Sequence, residues 1–305
     1  MHQISGRRGL GITLALVTAF LWGVLPIALK VALQELDAYT ACWVRMAVSG
    51  LLVGLFLAWR GELKPVATPS LVLLLMCAVA VFGLLGNYLF YNFSLQRLNP
   101  ETAQLMIQVA PFLVMVGSVI IFHEPFSRRQ IFGALLVVVG LLTFFNENLM
   151  LLLDSGSSFS RGVMLMMVSS VAWAAYALVQ KKLLRTMSSM SIMLMIYIAG
   201  GLLFLPMADP AAILEMSPLP LAMLLFCCVN TVLSYGAFSE SMNHIHASQV
   251  SGIITAVPVF TFVVMSVLVE FWPENFQAEE LNLLAYLGAA MVVAGSALAA
   301  MAKKA

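Results

Sequence analysis

The sequence predicts an all-α polytopic membrane protein with ten transmembrane helices in two inverted five-helix repeats. The membrane class follows from composition: 62% of the 305 residues are hydrophobic, only 10% are charged, and the mean hydropathy is +1.00. Apolar runs of roughly 20 residues recur along the chain, and a helix of that length crosses the hydrocarbon core of a bilayer. The division into two repeats follows from similarities between the two halves of the sequence.

Ten apolar spans follow one another with mostly short loops between them. In order, they cover roughly residues 10–30, 39–59, 70–95, 103–122, 130–145, 162–181, 190–207, 219–241, 247–269 and 281–301. The first run is too long for the apolar region of a signal peptide and has no small-residue cleavage site after it. The longest polar stretch, residues 146–161, lies at the midpoint and is typical of a linker. We therefore predict two repeats, residues 1–150 and 151–305.

The charged residues predict that both termini are cytoplasmic. With that orientation, eleven basic residues fall in the inner loops: Arg7, Arg8, Arg60, Lys64, Arg128, Arg129, Lys181, Lys182, Arg185, Lys303 and Lys304. The outer loops then contain only Arg97 and Arg161, together with most of the acidic residues. Inner loops of membrane proteins carry an excess of Lys and Arg, so this orientation agrees with the rule.

The two halves carry the same residues at matching positions. The pairs are Gly11 with Gly162, Trp22 with Trp173, Lys30 with Lys181, Tyr88 with Tyr235, Pro111 with Pro258, Gly133 with Gly288 and Gly140 with Gly295. Because each half has five spans, an odd number, the second half enters the membrane from the opposite side. Inverted repeats with a substrate site near the bilayer midplane are a recurring transporter architecture.

The same segments resemble a known family. An arginine early in span two (Arg45), "APFLVMVGSVIIFHEPFSRRQIFGALLVVVG", and "VPVFTFVVMSVLVE" followed by "GAAMVVAG" are similar to the EamA-type branch of the drug/metabolite transporter superfamily. The resemblance covers nearly the whole chain. It implies an inner-membrane exporter of amino acids and other small metabolites, whose cavity is lined by spans one, three, four, six, eight and nine.

A polar stripe in span four has an equivalent in span nine. Gln104, Gln108 and Pro111 are spaced i, i+4, i+7 on one helix face, and their counterparts are Ser251, Thr255 and Pro258. Polar residues within hydrocarbon must face protein or water, and each proline interrupts its helix locally. Interhelical hydrogen bonding is one explanation. Because the stripe occurs in both halves, we favour a cavity, with Gln104, Gln108, Ser251 and Thr255 as substrate-binding residues.

Aromatic residues in the middle of spans are further candidates for substrate binding. Trp22 and Trp173 occupy matched midspan positions, and Tyr88 and Tyr91 lie in span three. Aromatic walls with a few polar groups suit a small, partly apolar substrate. Ordinary packing of these rings is the alternative.

Two charged residues lie within spans. Arg45 enters from the outer side only about two turns deep, so we expect it to extend toward the outer surface in a structural role. Glu240 is the one acidic residue that we place deep within a span, span eight. Burial would raise its pKa, which makes it a candidate for proton coupling. The alternative is that Glu240 reaches the cytoplasmic surface or pairs with a basic residue.

Several function classes are open at this stage. A secondary transporter that exports neutral or aromatic amino acids or similar metabolites by alternating access is favoured. A proton-coupled exporter of drugs or nucleobase-like compounds and a membrane-embedded enzyme are alternatives. No nucleophile–base pair, metal-ligand spacing, Walker loop or channel filter is apparent, so no enzyme activity, cofactor or metal is expected. The net charge of +1 predicts no nucleic-acid partner.

The partners expected are a small-molecule substrate and the lipid bilayer, and a second copy of the chain, in a homo-oligomer, is a further candidate. The paired glycines of spans five and ten stand two turns apart on one helix face. Such small residues let helix backbones approach closely. They predict a packing seam, which lies either within the bundle or between protomers of a homo-oligomer.

Overall fold

A computed structural model of the protein describes residues 7–63, 70–122, 127–154, 156–245, 247–279 and 281–301, and these residues form helices and connecting loops without a β-strand. The all-α prediction is therefore confirmed. The helices are α1 (Arg8–Ala32), α2 (Ala38–Trp59), α3 (Leu71–Leu95), α4 (Pro100–Met106), α5 (Val109–Phe122), α6 (Arg128–Phe144), α7 (Leu149–Leu153), α8 (Ser158–Leu183), α9 (Ser189–Phe204), α10 (Pro218–His244), α11 (Ala247–Ile254), α12 (Val257–Phe271) and α13 (Leu283–Met301). Two short 3₁₀ segments follow α9.

Seven helical segments in the described part of the chain are long and apolar enough to cross a bilayer. They are Arg8–Ala32, Ala38–Trp59, Leu71–Leu95, Ser158–Leu183, Ser189–Met207, Pro218–His244 and Gly252–Phe271. The other three predicted spans are also helical but fall short of that length. Span four is divided between α4 and α5, α6 has 17 residues, and the last apolar helix is described as Leu283–Ala299. The count of ten spans remains a prediction.

The helices of spans four and nine are interrupted where the prolines predict a break. Pro111 and Pro258 lie in the first turn of α5 and α12, where a missing N–H costs nothing. At the first break Ala110 N–H donates to Ile107 O at 2.9 Å, which is a tight i→i−3 turn. At the second break Val259 N–H donates to Ala256 O at 3.0 Å. The Ile107 carbonyl therefore accepts a hydrogen bond in the turn at the break.

The core lies between the two halves of the chain. The most extensive helix contacts join α1 to α10, α2 to α9, α3 to α8 and α6 to α13. Each pair is antiparallel: in α3 and α8, for example, Asn87 bonds to Ser169 while Ser94 bonds to Gly162. If each helix is replaced by its equivalent in the other half, the same four contacts result. The α1–α10 contact becomes the α8–α3 contact, and the α2–α9 and α6–α13 contacts are unchanged. Large apolar side chains such as Leu51, Phe82 and Leu202 point away from this core and are exposed, as expected of side chains that face lipid.

Polar side chains connect neighbouring segments around the end of α3 and the start of α4. Lys30 Nζ donates to Leu95 O at 2.6 Å and Leu98 O at 3.0 Å, which caps the end of α3. The Thr102 hydroxyl donates to the Glu279 carboxylate in the loop before α13. Beside it Glu101 is 2% exposed, and its Oε2 has no hydrogen-bond partner among the described residues. Burial, with the charge of Glu279 adding to it, raises the pKa of Glu101 to about 7.

The paired glycines form a seam between α6 and α13 within one chain. Gly133 faces Gly295 and Gly140 faces Gly288, in an antiparallel register. A Cβ atom on Gly133 would lie 2.6 Å from Gly295 O, and a Cβ atom on Gly288 would lie 2.4 Å from Phe144 N. These distances are too short for any side chain, so the two backbones approach as closely as glycine permits. Of the two predicted seams, the one within the bundle is the one the glycines form.

The seam yields a stability prediction. Gly288→Ala forces α6 and α13 apart, because its new methyl group would overlap Phe144 and Gly140 backbone atoms. Overpacking of this kind typically costs about 1–3 kcal/mol, so we expect a lower midpoint of thermal unfolding for the purified protein in detergent. Gly236→Ala is the matched control: it lies inside α10 and has nothing within 4 Å of its added Cβ. That variant should be neutral or slightly stabilised. Equal midpoints for the two variants would contradict the seam.

Candidate functional site

A cavity lies at the centre of the bundle, between the two halves. The volume of the cavity is about 180 Å³. Its lining comes from nine helices and the break before α5: Trp22, Leu25, Arg45, Asn87, Tyr88, Tyr91, Gln104, Ile107, Gln108, Ala110, Pro111, Trp173, Asn230, Thr231, Ser234, Tyr235, Ile254 and Val257. A lining of mostly apolar and aromatic side chains with a few polar groups is typical of a small-molecule site.

Much of the lining consists of residues at equivalent positions in the two repeats. The equivalent pairs are Trp22 and Trp173, Asn87 and Ser234, Tyr88 and Tyr235, Ile107 and Ile254, and Ala110 and Val257. Two offsets, 151 residues for α1 and α8 and 147 residues for the others, relate all five pairs. The repeat therefore places the same faces of equivalent helices around one space.

The aromatic side chains of the cavity are held by hydrogen bonds and ring contacts. Trp22 Nε1 donates to Ser234 Oγ at 2.9 Å, and its ring meets the Tyr235 ring edge-to-face at a centroid distance of 5.5 Å. The Tyr91 hydroxyl donates to Gln104 Oε1 at 3.3 Å. Because buried aromatic N–H and O–H groups need partners, these bonds fix the orientation of the rings. The result is an apolar wall with polar groups at defined points.

Arg45 lies inside the cavity, and the expectation that it extends to the outer surface is wrong. The side chain is 3% exposed, and its Nε and Nη2 both point at Thr231 Oγ1, at 3.4 and 3.2 Å. The guanidinium lies 4.5 Å from the centroid of the Tyr88 ring. The face of α2 that carries Arg45 packs toward α3 and α10, so the nearest polar partners are in the interior. A cation over a tyrosine face is a favourable contact.

Most of the predicted substrate-binding residues line the cavity, and Thr255 does not. Trp22, Tyr88, Tyr91, Gln104, Gln108 and Trp173 all contribute to the lining. Thr255 is 8% exposed and falls in the break between α11 and α12, where its hydroxyl donates to Gly252 O at 2.7 Å. That local bond turns the side chain back on its own helix. The side chain of Ser251 lies outside the described part of the structure.

Glu240 is not buried within the protein, contrary to the expectation on which its choice as a proton-coupling candidate rested. Its side chain is 54% exposed, and it lies four residues before the end of α10. The carboxylate pairs with His244 Nε2 at 3.1 Å and accepts a hydrogen bond from Asn243. The prediction that Glu240 lies deep within a span is wrong, because it lies in the last turn or so of α10 and its carboxylate is exposed there. Of the two alternatives, surface exposure with a basic partner is the one observed.

Six polar or aromatic lining residues were not predicted as site residues: Arg45, Asn87, Asn230, Thr231, Ser234 and Tyr235. Four of them lie on α10, where the i, i+4 pairs Asn230 with Ser234 and Thr231 with Tyr235 mark one polar face. The same spacing identified Gln104 and Gln108, so that signal was present in the sequence. Among the described residues no group of three His, Cys, Asp or Glu side chains is placed to hold a metal ion.

Comparison with known proteins matches this chain to a transporter family and to individual proteins that are described as transporters. The model of the EamA-like transporter family matches residues 9–146 and 160–301. An uncharacterized inner membrane transporter of Escherichia coli K12, YhbE, is 38% identical over 293 residues, which cover 95% of this chain and 91% of the relative. An uncharacterized transporter of Haemophilus influenzae is 36% identical over 97% of this chain and 96% of its own length.

More distant matches extend over a similar length. A probable amino-acid metabolite efflux pump of Salmonella typhimurium is 22% identical, with 92% of each chain covered. A crystal structure of another protein superposes with a TM-score of 0.64 at 16% identity and covers 95% of both chains. At that sequence identity the superposition shows only that the two proteins share a fold.

The cavity generates an accessibility prediction. In a variant whose four cysteines, Cys42, Cys77, Cys227 and Cys228, are replaced, Gln108→Cys should react with small water-soluble thiol reagents, because it lines the cavity. Thr255→Cys is the matched control from the equivalent position, and because its side chain does not line the cavity it should react about tenfold more slowly or not at all. Mass spectrometry of the labelled protein measures both rates. Equal inertness of the two cysteines would contradict a water-filled cavity.

Proposed function

The chain belongs to the EamA-like transporter family, and from that premise we propose that it is a secondary transporter of the inner membrane. It exports small metabolites, such as neutral or aromatic amino acids, by alternating access. The observation that carries this proposal is the central cavity, which is lined by equivalent residues of both halves. A cavity at the interface between repeats is where transporters of this architecture hold their substrate.

Alternating access requires that one half move against the other. We propose that residues 1–150 and 151–305 form inverted repeats, since the four main helix contacts between the halves are antiparallel and persist when the halves are exchanged. The helix breaks before α5 and α12 lie beside the cavity at equivalent positions. Interrupted helices at a midplane site are typical of such transporters because the break exposes backbone and permits local rearrangement.

The chemistry of the lining favours transport over catalysis. Among its described residues there is no Asp, Glu, His, Cys or Lys, the side chains that most often act as acid, base or covalent nucleophile. Aromatic rings and amides offer binding surfaces for a small molecule with an apolar part. The distant relative described as a probable amino-acid metabolite efflux pump supports amino acids or similar compounds as the substrate class.

We also propose that both termini are cytoplasmic. The proposal rests on the loop charges: eleven basic residues are then inside and two are outside. With this orientation Glu101 and Glu279 lie at the outer end, and His244 lies at the inner end of α10.

Transport in proteoliposomes tests the function directly. The purified protein should mediate counterflow of labelled members of a panel of amino acids and related metabolites, and liposomes without protein should not. Trp22→Ala should reduce the initial rate about tenfold, because it removes the ring that Ser234 and Tyr235 hold in the cavity. Phe82→Ala, at a 65% exposed position away from the core, is the control and should transport normally. Loss of rate in both variants, or no substrate in the panel, would count against the proposal.

Reporter fusions test the orientation. A reporter that is active only in the periplasm should be silent when fused after Ala305, because the basic inner loops keep that end in the cytoplasm. The control is the same reporter inserted after Ala208, in the loop between α9 and α10, where it should be active. Activity after Ala305 with silence after Ala208 would reverse the proposed orientation.

A further inference from the structure

Arg45 carries a positive charge into the interior of a membrane protein. Such a charge is expensive within a bilayer, and it is found where it pairs with an opposite charge or lines a polar cavity. Here the neighbours of the guanidinium are neutral: Thr231 accepts hydrogen bonds from it and the face of the Tyr88 ring lies 4.5 Å away. These contacts orient the group but do not neutralise it.

No carboxylate of the described residues lies within ion-pair distance of Arg45. Arg45 is also the one charged residue in the described lining of the cavity. The cavity therefore has a net positive charge that its own lining does not balance. Removing a charge from water and leaving it without a counterion costs several kcal/mol, so a bound anion would stabilise the site.

We propose that Arg45 binds the carboxylate of the transported molecule, and that the substrates of this cavity are small monocarboxylates with an apolar or aromatic body. The inference rests on the proposed function, because it takes the central cavity as the transport site. It goes further in naming the chemical group that is recognised. It also assigns Thr231 as a positioning residue for the guanidinium.

The geometry leaves donors available for a carboxylate. Arg45 directs Nε and Nη2 at Thr231, so the N–H groups of Nη1 and one N–H of Nη2 remain. Two parallel N–H groups of a guanidinium match the two oxygens of a carboxylate, and such charge-assisted pairs are about twice as strong as neutral ones. The Tyr88 ring holds the plane of the guanidinium, which reduces the entropy lost when the pair forms.

The remaining lining selects the rest of the molecule. Trp22, Trp173 and Tyr235 provide aromatic surface for an apolar body. An ammonium group would find no acidic side chain among the described lining residues. The amino group of an amino acid is therefore dispensable, whereas its carboxylate is required.

A matched series of compounds tests the inference on the wild-type protein. 3-Phenylpropionate, phenylalanine and 3-phenylpropanamide share the aromatic body and differ in charge, and isothermal titration of the purified protein in detergent measures their binding. A charge-assisted pair is worth about 1.5–3 kcal/mol, which corresponds to a factor of about 10 to 100 in affinity. We expect both carboxylates to bind at least about tenfold more tightly than the amide. Equal binding of the amide, or binding of phenylalanine without 3-phenylpropionate, would overturn the inference.

Inorganic anions separate a carboxylate site from a general anion site. Titration with chloride and with phosphate, at constant ionic strength, should leave the affinity for 3-phenylpropionate unchanged within about twofold, because neither ion fills the aromatic part of the cavity. If chloride alone displaces the carboxylate with comparable affinity, Arg45 binds anions without recognising a substrate and the inference fails.

Variants assign the effect to Arg45. Arg45→Gln should bind acid and amide about equally, whereas Arg45→Lys retains a charge and part of the preference for the acid. Thr231→Val should keep the preference for the acid but weaken it, since the guanidinium loses its hydrogen-bond acceptor. Phe82→Ala serves as the unaffected control. A purely structural arginine would lower binding of acid and amide to the same extent, and the wild-type series remains decisive if Arg45→Gln does not fold.

Failure of the inference and failure of the proposed function give different results. A protein that binds carboxylates but moves no labelled compound across a liposome membrane would contradict transport alone. A protein that transports the amide as well as the acid would contradict the role of Arg45 alone.

Discussion

The structure depends on one constraint: a polar group within the hydrocarbon must be satisfied by protein, because lipid offers it nothing. The two halves of this chain satisfy each other. Asn87 of α3 bonds to Ser169 of α8, and Trp22 of α1 bonds to Ser234 of α10. Further bonds from Asn230 to Leu21 and from Thr261 to Gly23 join the same interface. Several polar side chains of each half therefore find their hydrogen-bond partners in the other half.

Close packing supplies the second part of the stability. Between helices in lipid there is little hydrophobic driving force, so van der Waals contact and hydrogen bonds must hold them together. The α6–α13 seam achieves contact by placing Gly140 against Gly288, with no side chain between the backbones. At the core, Gly23 similarly admits Thr261 to its carbonyl. The polar bonds and the glycine contacts thus both join the two halves around the central cavity, and at Gly23 they occur together.

Periodicity and repetition in the sequence predict the helices and the equivalent positions in the two halves. The sequence does not predict features that depend on the direction in which a side chain points. Apolar runs predicted helices, and the matched positions of Trp22 and Trp173 correctly indicated a shared surface. Arg45 was placed at the right depth, but depth along α2 does not specify whether a long side chain turns outward or inward. Thr255 lay on the correct face by count, yet the helix break let its hydroxyl bond to Gly252. Glu101 gave no signal, because its burial arises from the loop that carries Glu279, far away in sequence.

The repeat determines the shape of the cavity, and the departures from the repeat determine its chemistry. Equivalent residues such as Tyr88 and Tyr235 provide walls that are alike on both sides. A site that was symmetric throughout would favour a symmetric ligand, whereas a small metabolite has one polar end and one apolar end. The asymmetry comes from Arg45 on the first half, which is held by Thr231 on the second. Since that contact crosses the interface between the halves, any movement of one half against the other must also change the surroundings of the only charge in the described lining.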